Sequence, residues 1–168
     1  MSNSSKPFYV YLCGPMAANT HAQAQAWRLH AFERLEPHGI TVVSPMREKD
    51  MFDNSTLMGV DYTTFGDVPE LRASSIFTRD CYDVDHANII LANFTDLGVA
   101  KSGEPIPSLG SDMEMARAEV RGIPIVMVAP PDNYYRKHPF SIVCADIIFD
   151  DLDSACSWII KNFKPYRG

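Results

Sequence analysis

The sequence predicts an α/β fold: a three-layer sandwich around a doubly wound, mostly parallel five-stranded sheet with flavodoxin-like topology. Short, β-rich apolar runs alternate along the chain with longer segments whose apolar residues recur near the helical period. The later apolar runs are almost continuous, as in strands that are buried on both faces of a parallel sheet. The 168 residues have the length of one domain, and no internal repeat divides them, so residues 1–168 are expected to form a single domain.

The first half of the chain predicts two strands, one helix and one long loop. The run FYVYL ends in a Cys-Gly-Pro turn and predicts a strand over residues 8–12. Helix formers fill residues 21–35, with an apolar face at the helical period. The residues of that face are Ala26, Leu29, Phe32 and Leu35. The run ITVVSP predicts a second strand over residues 40–45, and the irregular stretch 46–70 predicts a functional loop such as a lid.

The second half predicts three helices that alternate with three strands. The first of these helices begins at Ser74 or Ser75 and carries an apolar stripe of Phe77, Cys81 and Val84. The next is expected to begin at Ser111 and to end at Gly122. The remaining elements are strands at 88–94, 123–128 and 146–149 and a last helix at 152–163.

The composition argues against several classes of partner and cofactor. The formal charge is −6 and the basic residues are scattered, so the chain lacks the basic surface that a nucleic-acid backbone requires. The N-terminus has no secretory signal pattern, and no stretch approaches the roughly 20 apolar residues of a membrane span. The 4 cysteines are far apart, without a CxxC pair or a histidine at ligand spacing. We therefore expect a cytoplasmic protein with reduced thiols, no metal or cofactor, and no membrane or nucleic-acid partner.

Glu114 is the first candidate functional residue, and two interpretations compete for it. The run Ser111-Asp112-Met113-Glu114 matches a capping box, in which a serine and the glutamate three residues later satisfy each other's backbone amides. The position favours chemistry, because this helix begins at the carboxyl end of a central strand, where such sheets bind ligands. A helix N-terminus would lower the pKa of Glu114 and keep the carboxylate ready to attack an anomeric carbon.

Cleavage of a glycosidic bond also needs a group that protonates the leaving group. In the preceding helix, Asp80 and Asp83 share a face beside the apolar stripe, whereas Asp85 turns away. Spacing alone does not separate a catalytic Asp80 from an ordinary surface aspartate. On the same evidence Tyr11, at the end of the first strand, fits a core or rim aromatic better than a site residue.

Three segments together resemble the nucleoside 2-deoxyribosyltransferase family. They are VYLCGPM at 10–16, RDCYDVDHANIILANF at 79–94 and SLGSDMEMARAEVRGIPIVMV at 108–128. They stand in the order that the family has, and the resemblance extends over most of the chain. The Gly-x-x-x-Glu core, with its trailing alanine and the G-I-P-I-V strand, is the most specific part.

The resemblance implies roles for these residues. Glu114 matches the nucleophile that forms a covalent deoxyribosyl intermediate, Asp80 the proton donor and acceptor beside the base, and Tyr11 the tyrosine that positions the nucleophile. Asp146 matches a residue that reaches the neighbouring subunit's site, which implies a homo-oligomer with shared active sites. The other matched positions, expected to contact substrate, are Gly14, Pro15, Met16, Ser108, Gly110 and Met113.

The sequence departs from the transferases at two positions. Six residues before the nucleophile they carry an aspartate for the sugar 5′-hydroxyl, and this chain has Ser108. The run Pro-Ser-Leu-Gly at that point is similar to the related 2′-deoxynucleoside 5′-monophosphate N-glycosidases, in which the serine faces a phosphate. The first loop offers a phosphate only Thr20 and His21 and no arginine, which favours a nucleoside. The second departure is Asp146, which stands where the family often has an asparagine.

The sequence thus predicts a nucleotide-salvage enzyme that transfers 2-deoxyribose from a deoxyribonucleoside to a free nucleobase by double displacement. The alternative is an N-glycosidase that hydrolyses a (deoxy)nucleoside or its 5′-monophosphate. An alternative of another class is a non-catalytic sensor of a nucleotide derivative on the same fold. The pairing of Glu114 with Asp80 argues against the sensor, because a pure binding protein has no need of a nucleophile.

Overall fold

The computed structural model describes residues 7–47, 49, 51–59 and 68–163. Its strands pair in parallel to form one 5-stranded sheet in the order β2-β1-β3-β4-β5. The strands are β1 Phe8–Cys13, β2 Ile40–Val43, β3 Ile89–Asn93, β4 Ile125–Val128 and β5 Ile147–Phe149. This strand order is that of the flavodoxin-like, doubly wound sheet, so the predicted fold class is confirmed.

Helices cover both faces of the sheet. Those of the described residues are α1 His21–Leu35, α2 Ala73–His86, α3 Leu109–Val120, α4 Pro139–Cys144 and α5 Leu152–Phe163. Helices α1 and α5 pack on one face, α2 and α3 pack on the other, and α4 packs against α3. The short helix α4 was not predicted, since its run PFSIVC is too brief to show a helical period. None of the helices in the described ranges is long and apolar enough to cross a membrane.

Strand β1 shows how the sheet divides its side chains between the two faces. Val10 and Leu12 point into the core beneath α1 and α5, while Tyr11 and Cys13 point toward α3. All four residues are fully buried. The alternation of a central strand therefore places a phenol and a thiol on the α3 side of the sheet.

The bounds predicted for α1 are confirmed, but its predicted apolar face is wrong. Leu29 is 51% exposed and Phe32 is 47% exposed. The buried stripe contains Trp27, Ala31 and Leu35, spaced four residues apart, so Leu35 is the member of the predicted face that is buried. The sequence offers two overlapping apolar stripes, and the one with small alanines allows the helix to approach the sheet closely.

Helix α3 begins at Leu109, so the capping-box prediction is wrong. The backbone N–H of Asp112 donates to the carbonyl of Ser108 at 3.0 Å, which places Ser108 at the N-cap position. The hydroxyl groups of Ser111 and Ser108 form a hydrogen bond with each other at 2.9 Å. Glu114 consequently lies in the second turn, where it is not needed as a cap. The helix ends at Val120, and Gly122, two residues later, takes the left-handed conformation (φ +66) that closes the helix end.

The predicted loop over residues 46–70 falls partly outside the described residues. Its described part lies against the first loop, which follows β1. The N–H of Met58 donates to the carbonyl of Asn19 at 2.8 Å, and the N–H of Ala18 donates to the carbonyl of Met58 at 3.0 Å. These bonds fix the described part of the long loop beside the start of α1.

The cysteines are free thiols, as the sequence predicts. Cys13 and Cys156 are buried, whereas Cys81 and Cys144 are half-buried on α2 and α4. Three of these four side chains stay inside the core or between helices, and Cys81 contributes to a cavity wall described below.

Candidate active site

The candidate site lies at the carboxyl ends of β1 and β3, where the chain winds in opposite directions from adjacent strands. Gly14 follows β1 and begins the first loop. A Cβ on Gly14 would lie 2.6 Å from the carbonyl oxygen of Asn93 and 2.8 Å from the ring of Trp27. Only glycine fits there, so Gly14 allows the first loop to pack against the end of β3.

Glu114 and Tyr11 come together at the centre of this site. The Tyr11 hydroxyl donates to Glu114 Oε1 at 2.7 Å. The Cys13 thiol lies beside them, donates to the carbonyl of Ser111 at 3.6 Å, and is also within hydrogen-bond reach of the Glu114 carboxyl group. The Tyr11 hydroxyl therefore holds the carboxylate in place, and the Cys13 thiol, from an alternate position of β1, lies beside it.

Burial raises the pKa of Glu114 to about 7, and the nearby Asp80 carboxylate adds to this rise. The hydrogen bonds from Tyr11 and Cys13 act in the opposite direction but do not compensate for burial. The sequence-based expectation of a lowered pKa is therefore wrong, because Glu114 lies a turn beyond the helix N-terminus. The pKa of Tyr11 is raised well above its usual value, chiefly by burial, so its hydroxyl remains a donor.

Asp80 is the second carboxylate of the site, and its side chain is buried. Arg79 Nε donates to its Oδ1 at 3.1 Å. Burial raises the pKa of Asp80, and the positive charges of Arg79 and Lys49 oppose that rise. A carboxyl group with a raised pKa is suited to carry a proton.

The other two aspartates of α2 have structural partners. Asp83 is buried and pairs with Arg47 at 2.6 Å. Asp85 turns toward α3, where it accepts hydrogen bonds from Arg117 at 2.6 and 2.8 Å. Of the three aspartates, Asp80 is thus the one that shares a cavity with Glu114.

That cavity lies between α2 and α3 and has a volume of about 290 Å³. Its polar groups include Asp80 and Glu114. Its other wall residues are Ala73, Ile76, Phe77, Cys81, Val84, Gly110, Met113 and Arg117. Phe77 is 57% exposed and Met113 is 53% exposed, so the predicted packing of Phe77 into the core is wrong. We call this space the α2–α3 cavity.

The remaining predicted site residues lie in the α2–α3 cavity, at the start of α3 or in the first loop. Gly110 and Met113 line the α2–α3 cavity, and Ser108 is the N-cap residue of α3. Pro15 is buried in the first loop. Met16, next to it, packs into a small cluster with Met46, Met58 and Ala24.

Asp146 lies at the amino end of β5, the opposite end of the sheet. Its Oδ2 accepts a hydrogen bond from the N–H of Ile125 at 2.8 Å. Within one chain it therefore does not join Glu114 and Asp80. Its contribution to a neighbouring subunit's site stays a prediction.

Two buried cations at the site were missed by the sequence reasoning. Arg28 is 2% exposed, donates to the carbonyl of Gly14 at 2.8 Å and lies 4.4 Å above the ring of Trp27. Burial lowers its pKa to about 10, while Tyr11 and Glu114 act to raise it. Lys49, in the loop after β2, is fully buried. Such residues are normally on the surface, and a sequence pattern carries no signal that they are buried.

No family model matches the sequence, and no curated protein matches it. The fold is similar to that of the 2-desoxiribosyltransferase from Leishmania mexicana, with a TM-score of 0.61 and 14% identity over 94% of this chain and 99% of that chain. The chain therefore has the same fold as that transferase. A conserved protein from Enterococcus faecalis is similar over 93% of this chain and 99% of that chain, with a TM-score of 0.60 and 13% identity.

The CMP N-glycosidase BcmB from Clostridium botulinum also has this fold. It matches with a TM-score of 0.50 and 12% identity over 90% of this chain and 97% of that chain. The fold resemblance that the sequence motifs predict is therefore confirmed.

Proposed function

We propose that the protein cleaves the N-glycosidic bond of 2′-deoxyribonucleosides and transfers the deoxyribosyl group to a second nucleobase. The main support is that Glu114, held by the Tyr11 hydroxyl at 2.7 Å, lines the same cavity as Asp80. A nucleophile and a proton carrier on one cavity are what a double displacement at an anomeric carbon requires. The fold shared with a deoxyribosyltransferase and an N-glycosidase adds support.

In the first half-reaction the Glu114 carboxylate attacks C1′ of the nucleoside. The C1′–N bond breaks, and its electron pair leaves with the base, which takes a proton from Asp80. The transition state carries oxocarbenium character, and the product is a glutamyl-deoxyribosyl ester. The Tyr11 hydroxyl fixes the direction of attack through its hydrogen bond to the carboxylate.

In the second half-reaction an incoming base attacks C1′ from the face that the first base left. The C1′–O bond to Glu114 breaks, the carboxylate is released, and Asp80 accepts the proton that the incoming nitrogen loses. Two inversions give net retention at C1′. The same two residues therefore serve both directions of the exchange.

The surroundings of Glu114 suit this role. With a pKa of about 7, a large fraction of the carboxyl groups is ionised at neutral pH, and burial leaves the anion poorly solvated and reactive. The α2–α3 cavity has the scale of small-ligand sites, and its apolar walls suit the faces of a base. Phe77 and Met113, at its walls, provide an aromatic and a thioether surface for such contacts.

Hydrolysis is the second candidate function, and Ser108 is the observation that favours it. Its hydroxyl lies at the start of α3, six residues before the nucleophile, bonded to the Ser111 hydroxyl at 2.9 Å. A hydroxyl pair at that point suits the acceptor oxygens of a phosphate better than an aspartate would. Water would then replace the incoming base, and a 5′-monophosphate would replace the nucleoside.

One assay separates these functions. Deoxyinosine is incubated with excess adenine, and the products are identified as deoxyadenosine or free deoxyribose. Exchange is expected for the wild type, and repeating the assay with deoxyinosine 5′-monophosphate tests what Ser108 contacts. Binding without any product would indicate the sensor.

The variant Glu114→Ala tests the nucleophile in the same assay. Exchange should be abolished in this variant and retained in Glu119→Ala, which removes an exposed carboxylate from the same helix. Near wild-type exchange by Glu114→Ala would show that Glu114 is not the nucleophile.

A further inference from the structure

Arg28 is a buried cation that lies at the carboxyl end of β1. It belongs to α1, which packs on the face of the sheet opposite α3, and it is 2% exposed. Its Nη2 donates to the carbonyl of Gly14 at 2.8 Å, and its Nη1 donates to the carbonyl of Ala24. The guanidinium group therefore reaches from α1 to the residue with which the first loop begins.

The hydrogen bonds of Arg28 do not neutralise its charge. Both acceptors are backbone carbonyls, and no carboxylate of the described residues forms an ion pair with the guanidinium group. The ring of Trp27, 4.4 Å away, compensates only part of the lost hydration. Because a buried charge is costly without an opposite charge nearby, we looked for the anion that Arg28 serves.

Arg28 and Glu114 approach the same end of β1 from its two sides. Gly14, which accepts from Arg28, directly follows Cys13, whose thiol donates to a backbone carbonyl of α3 at 3.6 Å. Two residues before Cys13, the Tyr11 hydroxyl donates to Glu114 Oε1 at 2.7 Å. The cation is thus bonded to the backbone and the carboxylate to a side chain of one short segment, residues 11–14.

The two groups act on each other electrostatically. Burial raises the pKa of Glu114 and lowers that of Arg28, and the charge of each opposes the shift of the other. The other titratable groups that face them come from β1, α2 and the loop after β2 and are Tyr11, Cys13, Asp80 and Lys49.

These other groups do not replace Arg28. Tyr11 and Cys13 stay neutral, because burial raises the pKa of both well above its usual value. Among the charges that act on Lys49, that of Asp80 is the strongest and that of Glu114 is weaker. Arg28 is the cation that lowers the pKa of Glu114.

We propose that Arg28 is a positioning residue that acts through Glu114, because its guanidinium group supplies the positive charge that stabilises the buried Glu114 carboxylate. The kinetic consequence rests on the proposed function, since it takes this carboxylate to be the nucleophile. Arg28 is enclosed by the fold and does not line the α2–α3 cavity, so it acts without touching the substrate. Loss of its charge should therefore reduce the ionised fraction of Glu114 at neutral pH.

A purely structural role, in which Arg28 only ties α1 to the Gly14 carbonyl, predicts a different result. Two variants separate the roles. Arg28→Lys keeps the charge and a donor, and Arg28→Gln keeps a donor without the charge. Arg34→Gln is the control, because it removes a half-exposed arginine from the same helix that pairs with Asp153 at 3.2 Å.

The first measurement is the pH dependence of kcat/KM for base exchange. In Arg28→Gln the acid limb should move to higher pH by about one unit or more, with a roughly tenfold loss at about pH 6 that recovers as the pH rises. Arg28→Lys and Arg34→Gln should keep the acid limb of the wild type. An equal loss at every pH in Arg28→Gln, or the same displacement in Arg28→Lys, would overturn the inference.

The second measurement needs no turnover. Urea denaturation of the wild type, Arg28→Gln, Glu114→Gln and the double variant gives the coupling between the two side chains. Glu114 has a pKa of about 7, so it is mostly protonated at about pH 5 and mostly ionised at about pH 8. Arg28→Gln should lower the urea midpoint more at the higher pH, and the Glu114→Gln background should remove that extra loss.

The same cycle covers a variant that folds poorly. If Arg28→Gln is unfolded at about pH 8, the double variant should regain stability there, because it no longer buries an uncompensated carboxylate. A loss of stability that is the same with and without Glu114 would overturn the inference. Absence of exchange in the wild type would refute the proposed function, whereas the coupling in urea would still report on Arg28.

Discussion

The two ends of the sheet use polar side chains in opposite ways. At the amino ends, Asn88 Oδ1 accepts from the N–H of Tyr9 and Asp146 Oδ2 accepts from the N–H of Ile125, both at 2.8 Å. These exposed side chains complete the hydrogen bonds of strands β1 and β4. At the carboxyl ends, Tyr11 donates to Glu114 and both lie close to other titratable groups. One end satisfies the backbone, and the other collects side chains that interact with each other.

The pKa values show that burying ionisable side chains at the carboxyl ends is unfavourable for their charged forms. Burial raises the pKa of Glu114 to about 7, raises that of Asp80, and lowers that of Lys49 to about 8. Each shift favours the neutral form, which is the direction that burial imposes. The fold therefore buries ionisable groups at the carboxyl ends of the strands, and their charged forms are destabilised there. A substitution there should affect activity first, and a substitution at the amino end should affect stability first.

Replacement of Glu114 by Gln should have the largest effect of all. The variant loses the proposed nucleophile, so base exchange should fall at least ~10³-fold. It should also be more stable than the wild type in alkaline solution. The folded pKa of Glu114 is raised from 4.5 to about 7, so the favourable contribution of the protonated group is complete below the unfolded pKa and is lost as the pH rises through about 7.

Chemical denaturation of both proteins at about pH 5 and about pH 8 measures that contribution. The advantage of Glu114→Gln should grow between these values by on the order of 2 kcal/mol. A difference in stability that stays constant with pH would contradict the raised pKa of Glu114.

Asp80→Asn should have the second-largest effect. Loss of the proposed proton donor should reduce exchange about 10²-fold for natural bases. The loss should be much smaller for a deoxyriboside with a nitrophenyl leaving group, which departs without a proton. Because the charge of Asp80 raises the pKa of Glu114, the acid limb of the kcat/KM profile should also move to lower pH. An equal loss for both leaving groups would show that Asp80 does not act as the acid.

Tyr11→Phe should have a smaller effect on the rate, and it should shift the pH profile in the direction opposite to that of Asp80→Asn. The hydrogen bond from Tyr11 lowers the pKa of Glu114, so its removal should move the acid limb of kcat/KM to higher pH. At neutral pH the rate should fall roughly tenfold. A pH–rate series for the wild type, Tyr11→Phe and Asp80→Asn should therefore place the wild type between the two variants.

Asp146→Ala tests the amino end and should have the smallest effect on activity. Loss of its hydrogen bond to Ile125 should reduce the free energy of unfolding by about 1 kcal/mol, as should Asn88→Ala for the bond to Tyr9. Urea denaturation measures both. If Asp146→Ala instead lowers exchange while Asn88→Ala does not, Asp146 reaches a neighbouring subunit's site, as the sequence resemblance implies.

The sequence predicts the fold well because the fold depends on periodicity. The apolar runs of β3 and β4 and the helical period of α5 survive without tertiary information, and their order fixes a doubly wound sheet. The motif that contains Glu114 also points to the residue on which the proposed function rests. The residue at which α3 begins cannot be predicted in the same way, because Ser108 and Ser111 are both good N-cap residues. In the structure Ser108 is the N-cap, and its N–H donates to the hydroxyl of Tyr135, which is distant in sequence, at 2.7 Å.

The rest of the site depends on contacts between distant segments. The face that α1 buries is chosen by its fit to the sheet, which leaves Leu29 outside and places Arg28 inside. Lys49 belongs to a loop without any periodic pattern, and the charged residues that act on it most strongly, Asp80 and Arg79, come from α2. The raised pKa of Glu114 arises from burial in the assembled fold, and a local helix-terminus argument gives it the wrong sign.

The hydrogen bonds between the first loop and the loop after β2 have a consequence for motion. Met58 both donates to Asn19 and accepts from Ala18, and the N–H of His21 donates to the carbonyl of Thr56 at 2.8 Å. The two loops therefore cannot separate one bond at a time without leaving backbone groups unpaired. In a hydrogen–deuterium exchange experiment, the amides of Ala18, His21 and Met58 should therefore become labelled together, in one opening event. The frequency of that event limits how often the first loop can move away from β3.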